Sequence, residues 1–290
     1  MDAILILRIV LGLFTLVSAI FFLKDLVAHK EELKGGKPVA LAIIGCITNL
    51  LDTWGIGSYA TTQAGFKFTK SSEDLTIPGT LNVGDTFPVS LEAILFFSFV
   101  PIDPLTLVLM IAAAIIGALV GASIVCKWNL KMVRMGLGIG LLILAIVMAC
   151  RNAGVGPFGL VGTALELRGL KLVIGLVINF FLGALMMIGV GLYAPCIALC
   201  SALGMDIGAA FPMMMGSCAF LMNAACYKFI KEGKYDRRAA LYLAVFGCVG
   251  VVFAYLVASM LPMSTLVWII CVVMLYTSFT FFKDAAKTQV

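Results

Sequence analysis

The 290-residue chain is 62% hydrophobic and 12% charged, against about 25% charged residues in an ordinary soluble domain. That composition predicts an all-α polytopic membrane protein and excludes a sizeable soluble domain. The formal net charge of +5 is no footprint of nucleic-acid binding, because the basic residues sit in short loops between apolar runs, where they fix orientation.

In chain order the apolar runs predict helices over 3–24, 38–54, 57–68, 86–101, 105–126, 133–150, 171–189, 192–204, 208–229, 239–261 and 264–282. The first, within an N-terminal unit 1–30, carries Arg8 and has no small-residue cleavage site. It reads as a retained helix rather than a signal peptide. Segments 57–68 and 192–204 are too short to cross: a helix as long as 192–204 extends about 20 Å, against a hydrocarbon core of about 30 Å. Each follows a Gly-x-Gly, so each reads as a half-helix entered through a break, closing the re-entrant hairpins 38–68 and 171–204. If both hairpins return to the side they entered from, every Lys and Arg except Arg8, Arg151, Arg168 and Lys171 falls on one face. That face is then cytoplasmic, with the N-terminus outside and the C-terminus inside. A bacterial inner membrane is the expected location.

The chain also repeats itself. "GIGSYA" at 55–60 matches "GVGLYA" at 189–194, "GDTFP" at 84–88 matches "GAAFP" at 208–212, and "GALVGA" at 117–122 resembles "GCVGVV" at 247–252. Each unit is a Gly-broken hairpin followed by three spanning helices. Repeat 1 covers 38–150 (helices 86–101, 105–126 and 133–150) and repeat 2 covers 171–283 (helices 208–229, 239–261 and 264–282), with the first helix outside both. The second unit begins on the opposite face, so the repeats are inverted. Inverted repeats with paired Gly-interrupted segments point to a secondary transporter whose site lies between the breaks.

A helix start leaves unpaired N–H groups and about half a positive charge. Gly55 and Gly57, and Gly189 and Gly191, permit the sharp turns. Two half-helix starts, near Ser58 and Leu192, would make a positive pocket without a buried Lys or Arg, suited to a small anion. Asn49, Ser58, Tyr59, Thr61 and Thr62 are candidate contacts on the first side, and Tyr193 and Ala194 on the second. The alternative is that the glycines serve close packing and the hydroxyls bond back to carbonyls. Two acids lie within apolar segments, Asp52 and Glu92, and such acids are candidates for proton coupling or gating. Asp52 is either a coupling group or a cap on the half-helix, whereas Asp85 and Asp206 read as helix caps. Asn179 is placed facing the breaks, and Cys196 and Cys200 as packing residues.

No metal or cofactor pattern competes with this. The nine cysteines have no CxxC or CxxH spacing, and His29 is the single histidine, which argues against zinc, haem or iron–sulfur chemistry and against a disulfide framework. No cofactor is expected, and without a catalytic dyad or P-loop an enzyme is disfavoured.

"GCITNLLDTWGIGSYATTQAGFK" and "GVGLYAPCIALCSALGM…AFPMMMGSCAF" resemble the two halves of the TauE/SafE sulfite-exporter family, over about residues 38–283. The first turn is shortened to Gly55-Ile56-Gly57, where many members carry a longer glycine run. The resemblance implies a secondary carrier moving a sulfur-containing anion, sulfite or an organosulfonate, usually outward. A passive anion channel, or a carrier of thiosulfate or a carboxylate, remains open. So does the oligomeric state, a homodimer among the choices.

Overall fold

The computed structural model describes residues 3–96, 102–156, 162–257 and 263–288. Among them the chain is all-helical: α1 (Ala3–Ala28), α2 (Pro38–Thr53), α3 (Ser58–Thr69), α4 (Ile77–Gly84), α5 (Thr86–Phe96), α6 (Pro104–Val125), α7 (Leu130–Ala153), α8 (Gly169–Met186), α9 (Tyr193–Ala202), α10 (Ile207–Glu232), α11 (Arg237–Val257) and α12 (Met263–Lys287). Seven helices among the described residues are long and apolar enough to cross a bilayer: α1, α6, α7, α8, α10, α11 and α12. The protein is therefore read as an integral membrane protein. The final residues expected for helices 86–101 and 239–261 lie outside the described residues.

The helix expected to start at 86 does so, as α5; a further helix, α4 (Ile77–Gly84), was not expected and runs up to it, the two meeting at Asp85. Pro78 stands in the first turn of α4, where its missing N–H costs nothing. "GDTFP" therefore lies eight residues into a helical stretch while "GAAFP" opens α10, so these two motifs do not occupy equivalent places.

Packing is close where glycine permits it. On α6, a Cβ at Gly121 would stand 2.6 Å from the Ala184 carbonyl, and Gly117 lies against Phe180 of α8 in the same way. Gly250 of α11 meets the carbonyl of Cys46 on α2, and Gly138 of α7 faces Phe282 of α12. Small residues drive such contacts in lipid, where apolar side chains gain little by leaving the bilayer. α2 thus pairs with α11, α6 with α8 and α7 with α12; α10 packs on α6, α4 and α5 on α11, α3 on α12 and α9 on α7. α10 is central, with 89% of its apolar window buried, whereas α1 buries 17% and lies at the periphery against α10.

Ion pairs tie the helix ends together at two poles. At one, Lys67 reaches Asp74 and Asp284, Arg134 reaches Asp74, and Arg237 reaches Asp25 and Glu32. At the other, Arg168 pairs with Asp103 and Glu166. Lys37 Nζ donates to the Thr69 carbonyl at 2.5 Å, so the end of α3 lies beside the start of α2. Likewise Lys171 Nζ donates to the Leu203 carbonyl at 3.0 Å, joining the end of α9 to the start of α8.

Candidate functional site

The two breaks are built alike. After α2, Gly55 N–H bonds the Asp52 carbonyl and Ile56 N–H bonds that of Leu51; after α8, Gly189 N–H bonds the Met186 carbonyl and Val190 N–H that of Leu185. This paired closure of a helix end needs a left-handed residue, and Gly55 (φ 79°) and Gly189 (φ 105°) supply it. Gly57 then takes φ 99°, ψ 131° as α3 starts, a region open essentially to glycine alone. Gly191 has no positive φ and a Cβ there would meet only ordinary contacts at 3.8 Å. It is not needed for the turn.

Both half-helix starts open onto the same space. A small cavity of about 20 Å³ is walled by Gly57, Ser58 and Tyr59 from the first break and by Gly191, Leu192 and Tyr193 from the second, with Asp52, Val89, Met186 and Cys218 completing it. A second pocket of about 10 Å³ shares Gly57, Tyr59, Gly191 and Tyr193 and adds Ala194. Each holds no more than a water-sized group, so an oxyanion would enter only after the walls part.

Asp52 closes the start of α3. Its Oδ1 accepts from Ser58 N–H at 2.8 Å and its Oδ2 from the Ser58 hydroxyl at 3.1 Å. It is a cap by contact, and it also walls the cavity. Glu92 is fully buried; its Oε2 accepts from Tyr193 Oη at 3.0 Å, while Oε1 has no partner. The repeat partner Tyr59 donates to Asn82 Oδ1 at 3.0 Å. Both tyrosines thus reach from a half-helix to the α4–α5 helix pair.

Other expected contacts lie off the cavity. Thr61 donates to the carbonyls of Gly57 and Ser58, and Thr62 donates to Thr48 at 2.9 Å. Asn49 bonds Gly45 and Asp85, and Asn179 bonds the Met110 carbonyl and Ser217 rather than a break. Gly55 and Gly189 shape the turns through their φ angles. Their carbonyls accept from Arg151 and Gln63, both at 2.6 Å, so a cation does reach the first break.

Of the two expected caps, Asp206 accepts from Gly208 N–H at 2.8 Å, as expected. Asp85 does not cap: it is fully buried within the helix pair, held by Asn49 at 3.1 Å. Missing α4 ahead of α5 hid it, although the Thr76-Ile77-Pro78 start and the polar series Asn82, Thr86 and Ser90 at four-residue spacing were visible in the sequence. Comparison with protein-family models, curated proteins and solved structures gives no match.

Proposed function

We propose that the protein is a secondary transporter of small anions, of the TauE/SafE sulfite-exporter kind, carrying sulfite or an organosulfonate by alternating access. The observation that carries this reading is the shared cavity, on which the starts of α3 and α9 converge. Hairpins 38–68 and 171–204 are re-entrant in this reading, because the far ends of each pair lie together. The two units exchange partners as a two-fold relation requires: α2 on α11 answers α8 on α6, and α3 on α12 answers α9 on α7. That exchange supports inverted repeats 38–150 and 171–283.

Electrostatics supplies the coupling. Two helix starts contribute about one positive charge in total. Asp52 and Glu92, both ionised, would contribute two negative charges and repel an anion. Protonation of both leaves the pocket positive, so anion and proton bind together and travel together. Asp52 and Glu92 are the coupling groups, and Ser58 with the starts of α3 and α9 is the binding surface. The membrane would be the bacterial inner membrane, with the Lys67–Asp74–Asp284 pole cytoplasmic, the N-terminus outside and the C-terminus inside.

The test is a panel of sulfite, sulfoacetate, thiosulfate, sulfate and small carboxylates scored by thermal stabilisation, since a ligand at one hundred times its Kd adds about 2.7 kcal/mol. Sulfur oxyanions should stabilise selectively. In proteoliposomes loaded with sulfoacetate, efflux should saturate and should accelerate when the loaded side is acidified. Non-saturating conduction would replace the carrier with a channel, and stabilisation by carboxylates alone would replace the substrate class.

A further inference from the structure

We propose that Asp85 is a second proton-binding site, set behind the cavity, and that it exchanges its proton with Asp52. The inference rests on the proton-coupled reading above and adds the route by which the proton arrives.

Asp85 sits at the α4–α5 junction with no exposed surface. Oδ1 accepts from Asn49 Nδ2 at 3.1 Å, and Oδ2 has no partner. A single hydrogen bond does not offset the cost of burying an ionised carboxylate, so the neutral acid is the stable form here. Among the described residues no cation pairs with it: at the start of α11, Arg237 is spent on Asp25 and Glu32 and Arg238 donates to the Lys34 carbonyl. Asp52 of α2, Tyr59 of α3 and Cys248 of α11 lie within electrostatic reach. α10 carries its Lys and Glu residues only in its last two turns, and α1 carries Arg8, Lys24 and Asp25.

A proton suits this place better than a metal ion. Hard cations take about six oxygen ligands, whereas the unpartnered oxygens of the pair are Asp85 Oδ2 and Asn49 Oδ1. The surrounding packing is tight: a Cβ at Gly84 would stand 2.8 Å from Leu243, and one at Gly247 2.8 Å from Asn49.

The way in that we propose runs along α4, from Thr76 and Thr80 on one side of the helix to Asn82 and Asp85 on the other. Ser72, Glu73 and Thr76 line a cavity of about 490 Å³ at the Arg237 pole. From Thr76, the fully buried Thr80, Asn82 and Asp85 follow, a climb of about 13 Å at 1.5 Å per residue. Asp85 is held by Asn49, which stands one turn before Asp52 on α2, and Ser58 donates its hydroxyl to Asp52; the relay proposed here runs through that hydroxyl. The hydroxyl passes its proton to Asp52 as it takes the one from Asp85. Asp85 becomes the carboxylate, Asp52 the neutral acid, and Ser58 is unchanged.

Infrared spectroscopy of the purified protein tests the site without assuming transport. The wild type should show protonated-carboxyl stretches that shift in D2O; Asp85→Asn should remove one, and the Asp52→Asn, Glu92→Gln double variant should keep it. Retention of every band in Asp85→Asn, or loss of all bands in the double variant, overturns the proposal. In proteoliposomes, Asp85→Asn should bind thiosulfate with a Kd within about threefold of wild type yet lose the acid acceleration of efflux; retained acceleration overturns the relay. If the wild type binds no anion of the panel, the transport reading fails while the infrared result still decides Asp85.

Discussion

At the scale of single residues, contact separates side chains that the sequence groups together. Ser58, Thr61 and Thr62 form one hydroxyl cluster in the chain, but only Ser58 walls the cavity. Thr61 spends its hydroxyl on carbonyls one turn back and Thr62 on Thr48. Ser58→Ala should therefore weaken anion binding about fivefold to tenfold, the worth of one hydrogen bond near 1 kcal/mol. Thr61→Val should leave Kd within about twofold, both read by calorimetric titration. The glycines divide in the same way. Gly57→Ala forces a side chain into backbone space that costs about 1–3 kcal/mol and should lower the unfolding temperature. Gly191→Ala meets no strained φ and no contact closer than 3.8 Å, so it should fold normally and lose affinity by filling the cavity wall. Equal effects of the two substitutions on stability would contradict this division.

At the scale of elements, helix existence was legible and helix starts less so. The Gly-x-Gly breaks, the short α3 and α9 and the long apolar helices all follow from run length and breaker residues. α4 was missed because Asn82, Asp85, Thr86 and Ser90 dilute the apolar signal; Asn82, Thr86 and Ser90 donate to carbonyls four residues back, but the partners that make the polar series tolerable in the core, Asn49 for Asp85 and Asn223 for Ser90, are distant in sequence. Where the capping chemistry is local, the sequence sufficed, as at Asp206. Asp103 is a further local case: it starts α6 by accepting from the Thr106 amide and hydroxyl, both at 2.8 Å. Those bonds, with Arg168 beside it, hold its carboxyl below the ordinary value. A lowered folded value contributes stability in full above the unfolded value of about 3.9 and loses it as pH falls through the folded value. Asp103→Ala should thus cost about 1 kcal/mol at neutral pH, and thermal unfolding of variant and wild type should converge only in acid below about pH 3.9. A gap that closes between neutral pH and about pH 5 would show that another group carries the effect.

At the scale of the whole molecule, the proposed orientation rests on the charge of the two poles. The Lys67, Arg134 and Arg237 clusters hold the ends of α1, α3 and α12 and the starts of α7 and α11 at one pole. Arg168 and Lys171 hold the starts of α6 and α8 and the end of α9 at the other. An excess of Lys and Arg marks the cytoplasmic side, so in the proposed orientation the Lys67 pole would face inward. Under that proposal each hairpin would enter from a different side; the two breaks are linked where Gln63 donates to the Gly189 carbonyl at 2.6 Å. Single cysteines at the exposed positions Lys70 and Glu166 test this, in a background with the partly exposed Cys46, Cys150 and Cys248 replaced by serine. A membrane-impermeant thiol reagent should label Lys70→Cys only in inside-out vesicles and Glu166→Cys only in right-side-out ones. Reversal of both would invert the molecule but preserve its inverted repeats. Labelling of both from one side would remove them, since α3 and α8 would then open to the same compartment and no pair of opposed half-helices could meet at the cavity.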